Sequence, residues 1–94
     1  MTEHPTIQLK VHVMPENGLH LAPISQLVRT ANAYSSAISL SFDGKRADVK
    51  SAFDLMLLGA PCGAELNLEV QGADAQAAAS AISQLFEDGF GHPA

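Results

Sequence analysis

Residues 6–34, TIQLKVHVMPENGLHLAPISQLVRTANAY, contain a strand pattern, a loop and a helix pattern in succession. The first part alternates strictly between apolar and polar side chains, a pattern that predicts a half-buried β-strand over residues 6–13. Proline, asparagine and glycine then predict a loop over residues 14–19, which ends at His20. Beyond it, apolar residues recur every three or four positions, so we expect an amphipathic helix that begins between His20 and Ala22.

The rest of the chain continues this alternation of strands and helices. Periodicity and turn residues predict a strand at 38–42, a hairpin turn at Asp43-Gly44, a short charged edge strand at 45–49, a brief helix at 52–58 capped by Ser51, a strand at 65–71, and a last helix opened by Asp74 and closed by Gly89. Because each strand has one apolar and one polar face, the sheet should be antiparallel. We therefore expect an α+β fold of order βαββαβα, an open-faced β-sandwich with a four-stranded sheet and three helices on one face.

Length and composition limit the classes of function. The 94 residues fit one domain spanning 1–94, and the net charge of -5 is a poor match to nucleic acid. The only cysteine, Cys62, cannot form an internal disulfide. Neither a secretion signal nor an apolar run long enough to span a bilayer is found, so we expect a cytoplasmic protein with no membrane insertion.

Several kinds of site are disfavoured by the residues themselves. The glycines form neither of the common nucleotide-binding motifs, and the four histidines lack a metal-ligand spacing, so we expect no metal and no cofactor. His4 and His92 lie in aperiodic ends and are expected to have no role. Cys62 and His20 can in principle act as nucleophile and base, but a lone cysteine in a turn is more often a small filler residue.

His20 differs from the other histidines because it stands at the predicted start of a helix. The first N–H groups of a helix have no partner within the helix and face the positive end of its dipole, so this position suits an anion. A histidine there can accept a phosphoryl group on a ring nitrogen and hold it against those N–H groups. The alternative is an ordinary surface residue at a helix start.

Motifs around His20 resemble those of a known family. Gly18-Leu19-His20-Leu21-Ala22-Pro23 is similar to the G-[aliphatic]-H-[small]-R-P active-site motif of the histidine-containing phosphocarrier protein (HPr) family, which serves the bacterial phosphoenolpyruvate-dependent sugar phosphotransferase system. Asn17 also fits. Lys50-Ser51 and the following apolar stretch up to Leu58-Gly59 resemble the second motif of that family, and 63–65 and 72–75 fall where its last strand and helix begin.

The resemblance implies a role for each of these residues. His20 would carry a phosphoryl group received from Enzyme I and passed to sugar-specific acceptor proteins, with no bound cofactor and with the carrier as a monomer. The roles of the other positions follow the family: phosphate binding by the backbone N–H groups of Leu21 and Ala22 and by Asn17, regulatory phosphorylation at Ser51, and partner docking at Ala52, Phe53 and Met56. A serine kinase is a further candidate partner. Phe53 and Met56 can equally be core residues, and Ser51 can be a plain helix cap.

Two residues depart from the motif. The arginine of the family is Ala22 here, and the small residue next to the histidine is Leu21. Lys50 is a better candidate than Arg29 for a replacement cation, because Arg29 lies too far along the helix. These departures leave an alternative function open, in which the chain is a degenerate or regulatory binding module that relays phosphate weakly or not at all and is controlled at Ser51.

Overall fold

The computed structural model describes residues 6–91; His4 and His92 lie outside this range. The elements follow the order βαββαβα, as expected. They are β1 Thr6–His12, α1 Leu21–Ala31, β2 Ala37–Phe42, β3 Lys45–Asp48, α2 Ala52–Leu58, β4 Glu65–Gln71, α3 Ala75–Glu87 and a closing 3-10 turn, Gly89–Gly91. In the described range, no helix is both long enough and apolar enough to cross a membrane.

The four strands form one antiparallel sheet in the order β1-β4-β2-β3. Asp43 and Gly44 join β2 to β3 with φ angles of 51° and 77°, the left-handed conformation that a tight hairpin turn requires. The prediction that β3 is an edge strand is confirmed, and β1 forms the other edge.

One face of the sheet carries the core, because the apolar side chains of alternating strand positions meet the three helices there. Fully buried side chains from both layers build this core: Ile24, Leu27, Leu40, Leu55, Leu58, Leu66, Leu68, Ile82 and Phe86. The opposite face is polar and carries ion pairs such as Arg46 with Glu69, whose nearest atoms are 3.2 Å apart. Leu9 is on the core face but is 39% exposed, since β1 is an edge strand.

Helices α1 and α2 are neighbours that run in opposite directions. At one end, the N–H of Leu19, just before α1, donates to the carbonyl oxygen of Ala60, just after α2, at 3.0 Å. At the other end, Lys50 Nζ, just before α2, donates to the carbonyl oxygen of Tyr34, beyond α1, at 2.8 Å. The start of α1 and the start of α2 therefore lie at opposite ends of the helix pair.

The start of α3 departs from the prediction. Asp74 occupies the N-cap position, but its side chain makes no cap hydrogen bond to α3. Its carboxylate instead accepts hydrogen bonds from the N–H groups of Ser35 and Ser36, both at 2.9 Å, and from the Ser36 hydroxyl. The Ser36 hydroxyl and the two N–H groups stabilise the carboxylate and lower the pKa of Asp74 to about 2. Asp74 therefore ties the α1–β2 connection to α3.

Candidate functional site

The loop before α1 is a tight turn. Gly18 N–H donates to the carbonyl oxygen of Pro15 at 2.9 Å, and Glu16 and Asn17 lie exposed at the tip between them. The structure therefore places Asn17 three residues before His20 with its side chain on the surface, while Gly18 behind it is buried.

Gly18 is held against the segment that follows α2. Its φ angle is +68°, and a Cβ at this position would lie 2.5 Å from the carbonyl oxygen of Ala60 and 3.0 Å from the Cα of Pro61. Only glycine fits both the left-handed conformation and this close backbone approach. Together with the hydrogen bond from Leu19 to Ala60, this contact fixes the loop two residues before His20.

His20 is the N-cap residue of α1. Its backbone is extended, with φ -88° and ψ -174°, and its carbonyl oxygen accepts the first helical hydrogen bond, from the N–H of Ile24 at 3.1 Å. The side chain is half-buried and does not cap the helix. His20 thus stands at the positive end of the dipole of α1, a position that suits an anion.

Ser51 is the N-cap residue of α2, and side chains close to it in sequence form hydrogen bonds around that helix start. Ser51 Oγ accepts a hydrogen bond from the N–H of Asp54 at 3.2 Å. The Asp54 carboxylate accepts from the N–H of Asp48 at 3.1 Å, and the Asp48 carboxylate accepts from the N–H of Lys50 at 2.9 Å. Ser51 therefore caps α2 with its hydroxyl and has two carboxylates close by.

The structure does not bring Ser51 and His20 together. Seven residues of α2 separate Ser51 from the segment that contacts the loop of His20, a length of about 10 Å. Lys50 is held with Ser51 at this far end by its bond to Tyr34, so the hypothesis that Lys50 replaces the motif arginine is wrong. Arg29 lies in the last turn of α1, also away from His20.

The residues expected to dock partners are on the surface of α2. Ala52 is exposed, and the side chains of Phe53 and Met56 are 64% and 53% exposed, so the alternative that these two are core residues is wrong. Leu57 at 61% and Leu21 at 69% exposure were not predicted as part of this surface. For Leu57 the signal was its spacing with Phe53 and Met56 at i, i+3 and i+4, which puts the three side chains on one helical face.

Cys62 lies in the turn after α2, close to the loop of His20. Its exposed Sγ is 3.5 Å from the carbonyl oxygen of Met14, to which the thiol donates a weak hydrogen bond. Within residues 6–91, no group of three or more His, Cys, Asp or Glu side chains is arranged to hold a metal ion.

Comparison with known proteins agrees with this geometry. The family model described as "PTS HPr component phosphorylation site" matches residues 7–88. The phosphocarrier protein HPr of Treponema pallidum (strain Nichols) is 40% identical over 80 residues, which cover 85% of this chain and 91% of that protein.

Solved structures give the same result. HPr-C-His from Thermoanaerobacter tengcongensis superposes with a TM-score of 0.90 at 31% identity, covering 94% of this chain and 99% of that one. A phosphocarrier protein HPr from Bacillus anthracis str. Ames gives a TM-score of 0.81 at 30% identity, covering 86% and 96% of the two chains.

An open-faced β-sandwich with a histidine at the start of its first helix, matched along most of its length by carriers of phosphoryl groups, is a small phosphocarrier protein. Among such proteins, the chain belongs to the HPr family of the phosphotransferase system.

Proposed function

We propose that the chain is a cytoplasmic phosphocarrier that accepts a phosphoryl group from Enzyme I on His20 and passes it to sugar-specific acceptor proteins. The observation that carries the proposal is the position of His20 as the N-cap residue of α1 in a chain of this family. The carrier acts as a monomer and needs no bound cofactor.

The reaction exchanges one bond to phosphorus for another. A ring nitrogen of His20 attacks the phosphorus, the bond from phosphorus to the donor atom breaks, and its electron pair stays with the donor. The backbone N–H groups of Leu21 and Ala22 and the dipole of α1 stabilise the charge on the phosphoryl oxygens, because they point toward the place where those oxygens come to lie. Asn17, on the adjacent turn, is proposed as a further donor.

We propose that partners dock on the exposed surface of the helix pair α1 and α2. Ala52, Phe53 and Met56 supply apolar contact area there, and large exposed apolar side chains are typical of surfaces that bind other proteins. We propose Ser51 as a regulatory site for a serine kinase. A phosphate on Ser51 would add negative charge between Asp48 and Asp54 and weaken docking without unfolding the chain.

The alternative of a degenerate or regulatory module is less well supported. The family model that matches is named for the phosphorylation site, and the relative from Treponema pallidum is named as a phosphocarrier. His20 and Gly18 are both present, and the loop that positions His20 is fixed by a contact that only glycine allows.

The test is incorporation of a phosphoryl group from phosphoenolpyruvate in the presence of Enzyme I. We expect His20→Gln to abolish incorporation while its circular dichroism spectrum and thermal unfolding match those of the wild type. His12→Gln is the matched control, because His12 is an exposed histidine on β1 whose partner is Glu65, 3.2 Å away. Incorporation retained by His20→Gln, or lost in His12→Gln, would contradict the proposal.

A further inference from the structure

A phosphoryl group on His20 carries negative charge, and a nearby Lys or Arg side chain is the usual group to balance it. Two of the five Lys and Arg side chains of the chain belong to the helix pair, Arg29 and Lys50. Arg29 lies about 13 Å along α1 from His20, and Lys50 is held on the carbonyl oxygen of Tyr34 at the opposite end of the pair. Neither lies at the start of α1.

The other three belong to the sheet. Lys10 Nζ is 3.7 Å from a carboxylate oxygen of Glu65, and Arg46 Nη2 is 3.2 Å from one of Glu69; both pairs lie on the polar face, away from the helices. Lys45 opens the edge strand β3 in the hairpin. Lys10, Arg29, Arg46 and Lys50 therefore lie away from the start of α1. Lys45, on the edge strand β3, is tested directly by a variant described below.

Backbone donors at the start of α1 are few. Pro23 has no N–H, and the N–H of Ile24 is already bonded to the carbonyl oxygen of His20. Leu21 and Ala22 thus supply two backbone N–H groups for three phosphoryl oxygens. In the isolated protein, water molecules donate the remaining hydrogen bonds to the phosphoryl oxygens, so two backbone donors are enough to hold the group.

The situation changes when a partner docks. Leu21, the residue after His20, and Phe53, Met56 and Leu57 on the neighbouring helix α2 are all more than half exposed. A partner that docks on both helices through these side chains removes water from the start of α1 as well. A phosphoryl group loses its solvation there, and an anion buried without a compensating charge is costly. The missing charge must then enter with the partner.

We propose that the protein exchanging phosphoryl groups with His20 supplies the cation itself, as an Arg or Lys side chain that projects from its docking surface toward Ala22. This inference rests on the proposed function. The exposed methyl group of Ala22 leaves space where the family has an arginine, and the guanidinium or ammonium group of the partner occupies that space. The partner class is thus a protein with an apolar docking surface and a central cation.

The experiment compares two phosphoryl donors on the full chain and on Ala22→Arg. Phosphoramidate phosphorylates histidine without a docking surface, whereas Enzyme I with phosphoenolpyruvate needs one. With phosphoramidate, we expect Ala22→Arg to raise the rate of His20 phosphorylation by about threefold to tenfold, because the new guanidinium stabilises the transferring group. With Enzyme I, we expect the same variant to be about tenfold slower than the wild type, because two cations then face each other in the interface.

Two variants serve as controls. Ser25→Arg adds the same charge at an exposed position one turn further along α1, and it should change both rates by less than about twofold. Lys45→Gln should leave the phosphoramidate rate unchanged; a loss of rate there would identify Lys45 as the cation and overturn the proposal.

The outcomes separate the cation proposal from the proposed function. A rate with Enzyme I that is unchanged or raised by Ala22→Arg would overturn the cation proposal, while phosphorylation of His20 itself would still support the carrier. No phosphorylation of the wild-type chain by either donor would overturn both. Opposite changes with the two donors are the result that supports a cation from the partner.

Discussion

The starts of α1 and α2 are built in opposite ways. At α2, Ser51 caps the helix with its hydroxyl, and Asp54 adds a carboxylate to the first turn. At α1, the His20 side chain does not cap the helix, and the first turn contains no acidic residue. The start of α2 therefore contributes to stability, whereas the start of α1 favours an added anion.

The two helix starts also differ in the contacts that hold them in position. The turn at Ser51 is held by bonds among residues 48–54, all close in sequence. The loop before His20 is instead held by a distant segment, through the contact of Gly18 and Leu19 with Ala60. His20 therefore depends on tertiary structure, while Ser51 depends on its own neighbours.

The largest effect is expected where this tertiary contact is broken. Gly18→Ala adds a Cβ within 2.5 Å of a backbone oxygen at a φ of +68° and should lower the free energy of unfolding by about 3 kcal/mol. Gly59→Ala is the matched control, since its φ is +62° but the nearest atom is 3.9 Å away, and it should cost only about 1 kcal/mol. Chemical denaturation measures both, and equal losses would show that the close approach at Gly18 contributes nothing.

The exposed surface of α2 is tested by Phe53→Ser. Because Phe53 is exposed, stability should change by less than about 0.5 kcal/mol. The KM for transfer from Enzyme I should rise by about tenfold, equivalent to ~1.4 kcal/mol of binding energy. Gln76→Ser, at an exposed position on α3, should leave this KM unchanged. An unchanged KM in Phe53→Ser would place docking elsewhere.

Variants of Ser51 test the start of α2. Ser51→Ala removes the cap and should lower the free energy of unfolding by about 1 kcal/mol, with phosphorylation of His20 unaffected. Ser51→Asp keeps a capping oxygen and should restore stability, yet its added charge should slow transfer from Enzyme I. If Ser51→Asp transferred at the wild-type rate, regulation by charge at this site would be refuted.

Asp74, at the start of α3, is expected to make the free energy of unfolding depend on pH. Because the pKa of Asp74 is lowered from 3.8 to about 2 in the folded chain, its contribution to stability is complete above pH 3.8 and is lost as the pH falls through about 2. The difference in unfolding free energy between the wild type and Asp74→Asn should therefore be greatest at neutral pH and should shrink as the pH falls from 3.8 through about 2. A difference that stays constant over this range would contradict the assigned bonds.

Much of the fold was predictable because each strand alternates and each helix has one apolar face. The position of His20 was predictable too, since the loop, the histidine and Pro23 are adjacent in sequence. The bonds of Asp74 to Ser35 and Ser36 were not, because they join positions almost forty residues apart. The local signal, an Asp before a helix, correctly placed the start of α3 but gave the wrong partner.

Which side chains of α2 are exposed was likewise not predictable from the sequence. Residues 55–58 are all apolar, so the sequence does not say which of them face the core; the packing of α2 on β3 buries Leu55 and Leu58 and leaves Met56 and Leu57 exposed. The reach of Lys50 also depends on how α1 and α2 lie against each other, which a single sequence does not specify.

The most direct test of the central claim is the intact mass of the wild-type chain after incubation with Enzyme I and phosphoenolpyruvate, followed by acid treatment. We predict a gain of one phosphoryl group, about 80 Da, that is lost in acid, because the bond from phosphorus to nitrogen hydrolyses there while a phosphoserine survives. A gain that persists in acid, or no gain beside an active control carrier, would contradict the assignment of His20 as the phosphoryl acceptor.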